Sequence, residues 1–389
     1  MEYRPLADFV ELSQGLAVNK GTAHFFSDIK NCEFPYPLLR IVDFEAGIHD
    51  NYSKYVSRDI SPTVIIDEDT IVFTRVTCQC FRGFKGVLHN NLFVVNLISN
   101  ELTKDYLFTV LQSDFVRKQA LYFAQSSVVP DLNHKMFKEI KIPVPNKSVQ
   151  EKIAKLYLNI ANKIDNNSRI NFELESMART IYDYWFLQFD FPDEKGNPYK
   201  SSGGKMVWNE ELKREIPDGW KAGIFADFFE IGNGKDHKNL LDGEIPVYGS
   251  GGIMRYVNEE LYNGESVLIP RKGTLNNIIY ITGPFWTVDT MYFTKIKKEN
   301  AAIFVYYAVN QYNFEKMNTG TGVPSMTASV IYNLKTVIPK TEILKQFDNK
   351  VQSIYSMIRQ NEKQNKELAS LREFLLPLLM NGQVRFKEC

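Results

Sequence analysis

The residues whose types could do chemistry are few, and their spacing does not converge. Cys78-Gln-Cys80, with His89 downstream, offers at most three metal ligands. Their spacings are unlike those of zinc fingers, so no metal is expected. The other histidines, His24, His49, His134 and His237, stand in unrelated contexts, and no G-x-S-x-G string supplies a nucleophile. Pro192-Asp193-Glu194-Lys195 has the outline of a nuclease motif, but its carboxylates are adjacent in a polar segment and could not converge rigidly on a metal. There is no G-x-x-x-x-G-K-[ST] phosphate loop and no N/D-P-P-Y/F methyl-transfer string. Gly232-Asn-Gly234 and Gly249-Ser-Gly251-Gly252 read as tight loops where backbone can approach a partner closely. The expectation is a chain without catalytic residues.

Two short windows carry a different kind of chemistry. Thr70 to Leu97 holds Arg75, Arg82 and Lys85 with no acid, and Ser266 to Val288 holds Arg271 and Lys272 with no acid. Around them stand short polar side chains able to bond phosphates or base edges: Thr74, Thr77 and Gln79 in the first window, Thr274, Asn276 and Asn277 in the second. A solvated hairpin rim would explain any one of these residues equally well. Their recurrence at equivalent places favours a pair of binding patches.

That equivalence comes from an internal repeat. Leu6 to Gly15 (LADFVELSQG) and Phe225 to Gly234 (FADFFEIGNG) share five of ten residues. Asp69 to Arg75 matches Glu265 to Arg271, each an acid, an apolar run suited to a buried strand, and an arginine leaving it. Val129-Pro130 matches Val323-Pro324, Lys141 matches Lys335, and Pro145 matches Pro339, all 194 residues apart. The offset falls from 219 to 196 to 194 along each copy, so the fronts vary and the backs are metrically fixed.

The fixed backs predict helices. From 148 to about 187 there is no Gly or Pro, and Ile153, Tyr157, Ile160, Ile164, Asn167, Asn171, Leu174, Ala178, Ile181 and Trp185 follow a 4,3 heptad spacing. Adding 194 gives Phe347, Val351, Ile354, Ile358, Asn361, Asn365, Leu368, Arg372, Leu375 and Leu379. Each helix is expected to run about 60 Å, at roughly 1.5 Å per residue over some 40 residues. Pro377 should kink or fray the end of the second. Antiparallel pairing would set Asn167 near Asn365 and Asn171 near Asn361, with Ile160, Ile164, Leu174, Ile354, Ile358 and Leu368 completing the seam.

The fold expected is α+β: two mixed α/β domains separated by two long antiparallel coiled-coil helices, in a two-fold internal repeat. The boundaries read as a first domain at 1–146, a first long helix at 147–190, a linker at 191–216, a second domain at 217–340, and a second long helix with tail at 341–389. Composition adds limits. The chain has 389 residues, 46 Lys+Arg against 46 Asp+Glu, and 44% hydrophobic residues, which exclude a disordered chain. Cys32, Cys78, Cys80 and Cys389 are too scattered for a disulfide framework, and no stretch suits a membrane span, so a cytoplasmic protein is expected. Zero net charge gives no bulk argument for nucleic acid and favours the alternative of a two-module coiled-coil scaffold that binds proteins and not DNA.

Two variable globules, each followed by an equal long helix, with Ile216-Pro-Asp-Gly-Trp220 introducing the second and Pro246-Val-Tyr-Gly-Ser-Gly-Gly252 within it, resemble the specificity subunit of type I restriction-modification systems. Arg271-Lys-Gly-Thr274 resembles that family's recurring loop. The resemblance implies a non-catalytic subunit whose globules are target recognition domains, each reading half of a split double-stranded DNA sequence. Its DNA-binding residues would be Arg75, Thr77, Gln79, Arg82, Lys85, Tyr248, Ser250, Arg271, Lys272, Thr274, Asn276 and Asn277. The helices would be spacer and docking platform for two modification (methyltransferase) subunits, with restriction subunits joining them. S-adenosylmethionine, ATP and Mg²⁺ would belong to those partners. The first copy has no counterpart of the I-P-D-G-W lead-in, so its first strand is expected to be abbreviated.

Overall fold

The computed structural model describes all residues except Met1, Lys20, 47–51, 61–64, 126–130, 319–323, Arg385 and 387–389. His49, Val129-Pro130, Val323 and Cys389 therefore lie outside the described residues. The chain forms two compact units, Met1–Asn167 with Lys363–Cys389, and Ser168–Glu362. Each unit thus takes part of both long helices.

The first unit opens on Tyr3–Pro5, paired antiparallel with Lys141–Pro143. A four-stranded sheet follows in the order Val10–Gln14, Leu92–Leu97, Val72–Thr74, Cys80–Phe81. The second unit repeats this. Lys221–Ile224 pairs with Lys335–Ile338, and the sheet runs Phe229–Asn233, Met291–Ile296, Ser266–Pro270, Ile279–Ile281. In both, the apolar run that leads to the arginine is an interior strand, with Val72–Thr74 and Ser266–Pro270 wholly buried. The opening strand of the first copy is one residue shorter than its counterpart, and the I-P-D-G-W segment continues from the hairpin Met206–Asn209 and Arg214–Pro217, a pairing that buries Ile216. A second sheet is inserted in each unit, of five strands in the first and four in the second, and each contains one parallel pair.

Short helices close each globule. The stretch from Lys104 to Phe123 divides into Lys104–Leu111 and Asp114–Phe123, because the Ser113 side chain accepts the Val116 N–H and starts a new helix. Asn133 and Thr327, 194 residues apart, cap His134–Lys138 and Ala328–Tyr332 in the same way. The segment after Phe191 is ordered by turns: the Asp193 carboxylate accepts N–H groups of Lys195 and Asn197, so it serves the turn.

The two long helices are Lys147–Tyr182, continued by a π-helical turn at Asp183–Leu187, and Thr341–Met380. They pack antiparallel within each unit. In the first, Ile153 and Tyr157 share a core with Leu376, Leu379 and Met380. In the second, Leu174, Tyr182 and Trp185 share one with Phe347, Val351, Ile354 and Ile358. The second helix runs through Pro377, which has no N–H to give the Glu373 carbonyl, and stops one turn later at Asn381-Gly382, where Gly382 takes φ 70°. Among the described residues no helix is long and apolar enough to cross a membrane.

Candidate nucleic-acid interface

The helix seam carries its polar groups in the interior. Asn167 is fully buried, and its amide donates to Gln364 Oε1 and Asn365 Oδ1, both at 2.8 Å, while Asn365 donates to the Ile164 carbonyl. In the other unit Asn361 donates to Asn171 Oδ1 at 2.8 Å. Ile160, Leu174, Ile354 and Ile358 are buried around these pairs, and Ile164 and Leu368 are partly buried. Asn pairs of this kind fix register, because a slip would leave amides opposite hydrocarbon.

The first cation window folds so that its arginines meet acids from elsewhere. As the chain leaves Val72–Thr74, the Arg75 guanidinium makes a two-point contact with Asp131, Nε to Oδ1 at 3.0 Å and Nη2 to Oδ2 at 2.9 Å. Arg82 donates to Asp105 at 2.6 Å, lies within 3.8 Å of Asp69, and sits over the Phe108 ring. The Thr77 hydroxyl bonds that of Thr74 at 2.7 Å, the Gln79 N–H donates to the Thr74 hydroxyl at 2.9 Å, and the Gln79 carbonyl accepts the Thr74 N–H at 2.9 Å. Lys85 is exposed, with no carboxylate partner among the described residues. Gln79 lines a cleft of about 740 Å³ that also holds Arg117, Lys118 and Arg372.

The second window is built on the same frame with one decisive difference. Leu132 N–H donates to the Arg75 carbonyl at 3.0 Å, and Met326 N–H donates to the Arg271 carbonyl at 2.9 Å, so residues 131 and 325 hold equivalent places. The first is Asp and the second is Ser. Arg271 accordingly has no ion-pair partner among the described residues and lies 5.7 Å from the Tyr292 ring centroid. Lys272 and Thr274 are exposed on the same loop.

Other candidates hold the loop together. Asn277 donates to the Ser250 carbonyl at 2.9 Å, tying the Arg271–Thr274 loop to the glycine-rich turn. Asn276 accepts the Phe314 N–H at 2.9 Å. Tyr248 packs against the cluster of Leu268, Phe285, Met291 and Phe293, and burial pushes its phenol up to about 12. These three position the surface, whereas Arg271, Lys272, Thr274 and the Ser250 side of the turn are able to meet a ligand.

Cys78 and Cys80 are buried, and burial raises both thiols, Cys78 to about 11, which keeps them protonated and poor metal ligands. His89 is lowered by burial and by Arg40. Sequence reasoning passed over Ile253 and Met254, which are 51% and 58% exposed next to the glycine turn. The only signal for them is an apolar pair abutting Gly251-Gly252.

Comparison with known proteins places this geometry. The chain is 24% identical to the type I restriction enzyme MjaIX specificity subunit of Methanocaldococcus jannaschii, over 93% of this chain and 86% of that one. It is 20% identical to the HindI specificity subunit of Haemophilus influenzae, over 77% and 81%. The fold is similar to a crystal structure of a type I restriction-modification S subunit from M. genitalium, with TM-score 0.61 and 17% identity, covering 99% of this chain and 96% of that one. Residues 1–176 and 217–369 match the family model described as type I restriction modification DNA specificity domain. With its globule-plus-helix unit present twice and both copies matched, the chain belongs to the type I restriction-modification specificity subunit family.

Proposed function

We propose that this chain reads a split DNA target, one half-site per unit, and docks two methyltransferase subunits and the restriction subunits of a type I complex. The observation that carries this reading is the recurrence, in both copies, of a buried strand that delivers an arginine and polar side chains to a loop at the same topological place. Arginine and lysine on such loops bind phosphate, and Thr and Asn beside them have the donors and acceptors to read base edges.

The two units contribute unequally to phosphate attraction. The second presents Arg271 and Lys272 without carboxylate partners among the described residues, while the first neutralises Arg75 and Arg82 and leaves Lys85. With no segment departing from neutrality by more than two charges, most nonspecific attraction to DNA must come from partner subunits. S-adenosylmethionine, ATP and Mg²⁺ are assigned to those partners.

The test is to co-produce the chain with its modification subunit and map methylated bases. A split target methylated only when both are present is expected. Arg271→Ala with Lys272→Ala should relax one half-site and leave the other intact. Methylation independent of this chain would favour the protein-binding scaffold.

A further inference from the structure

We propose that the hairpin formed by Asp242–Gly249 and Gly252–Val257 enters the DNA major groove and reads thymine methyl groups through Ile253 and Met254. This rests on the DNA-reading function proposed above and names the part of the second unit that makes an apolar base contact.

The hairpin is shaped for exposure. Its tip is a two-residue turn, Ser250-Gly251, closed by the pair Gly249 and Gly252. A Cβ added at Gly251 or Gly252 would meet nothing within 4 Å, so that side of the tip is open, while Ser250 faces Gly273 of the neighbouring loop. The register breaks between Val247, opposite Arg255, and Tyr248, opposite Ile253, which makes Met254 the extra residue of a bulge. In a regular strand Ile253 and Met254 would point to opposite faces and one could turn inward. The bulge instead leaves both more than half exposed.

The strand Gly252–Val257 is also the edge of its sheet. Edge strands are ordinarily protected by charge or proline, because exposed apolar edges pair with other chains. Here the strand's arginine, Arg255, is engaged by Asp242 at 2.8 Å, and Ile253 and Met254 are left without such protection. An apolar edge kept in water implies a partner surface.

The setting favours DNA as that partner. Asn277 fastens the tip to the loop carrying Lys272 and Thr274, so cation and apolar contact form one surface. Ile253 and Met254 line a groove that also holds Asp236, Asp289 and Lys238, so that groove is no phosphate channel, and phosphate contact falls to Arg271 and Lys272. A two-stranded ribbon fits a major groove about 12 Å wide and not a minor groove of about 6 Å, and the major groove displays the thymine methyl to apolar side chains.

The test uses the full chain in complex with its modification subunit. Selection from a randomised duplex library gives the wild-type half-sites, and each thymine of the second half-site is then replaced by uracil, which lacks only the methyl. At one or two positions wild type should bind about four-fold more weakly, the worth of roughly one buried methyl. The Ile253→Ser, Met254→Ser variant should show no such loss and a relaxed base preference there, with its first half-site and salt dependence unchanged. Unchanged preference and a retained uracil penalty in the variant would overturn the inference alone. Loss of assembly with the modification subunit at unchanged base preference would overturn it in favour of a protein interface. Wild type selecting no split sequence would overturn the DNA-reading function and this inference together.

Discussion

Exchanging residues 131 and 325 between the copies tests how the two units divide phosphate binding. Ser325→Asp places a carboxylate beside Arg271 in the position from which Asp131 grips Arg75 at 2.9–3.0 Å, because the following residue bonds the arginine carbonyl in the same way in both copies. If Arg271 contacts one phosphate, neutralising it removes about 0.9 from the slope of log K against log salt. Between 50 and 200 mM salt the affinity of wild type then falls about 3.5-fold further than that of the variant. Titration of labelled duplex with the complex at four salt concentrations reads this directly. Asp131→Ser should do the converse, releasing Arg75 and steepening the slope by up to the same amount, at a stability cost within about 1 kcal/mol because the pair is partly exposed. An unchanged slope in Ser325→Asp, with Arg271→Ala still lowering it, would refute the equivalence of the two positions. No change in either variant would remove Arg271 from the DNA surface.

Three further outcomes follow from the packing. Asp348 is buried, its Oδ1 has no hydrogen-bond partner, and burial beside Glu265 raises its carboxyl to about 6, so it favours the fold below pH 4 and loses that contribution as pH rises through 6. Asp348→Asn should therefore stabilise the chain at pH 8 by on the order of 2 kcal/mol and do little at pH 4, as read by denaturant midpoints at both pH values; equal shifts at both would be inconsistent with ionisation as the cause. Replacing Asn167 and Asn365 together by Leu should raise the denaturation midpoint, by roughly 1–2 kcal/mol, since it removes a buried Asn167 carbonyl without a partner, while loosening helix register in crosslinking assays. Deleting one heptad from both long helices shortens each by about 10 Å; mapped methylation sites should lose about three base pairs of spacer, with both half-sites unchanged, and an unaltered spacer would dismiss the helices as rulers.

Local regularity carried the architecture from residues to fold. The 194-residue repeat and the heptad spacing of Ile153 through Trp185 and Phe347 through Leu379 concern neighbours one helical turn apart, and helical geometry turns that periodicity into a continuous buried face. The apolar runs before Arg75 and Arg271 likewise made buried strands, because an alternation-free apolar segment must be covered on both faces. Charge could not be read the same way. A window without acids around Arg75 and Arg82 is acid-free only along the chain, since Asp131 lies 56 residues from Arg75 and Asp105 lies 23 from Arg82.

By itself, then, the sequence determined the duplicated fold, the two long helices and the two loops that could meet DNA. Tertiary structure alone decided which of their side chains are available: Arg271 and Lys272 keep their charge unpaired by the described residues, Asn276 and Asn277 are spent on holding the loop, and a one-residue bulge turns Ile253 and Met254 outward. The physical reason is range. Helix and strand periodicities are set by neighbours within a few residues, whereas ion pairing, hydrogen-bond satisfaction and strand register depend on groups that only the folded chain brings within 3 Å.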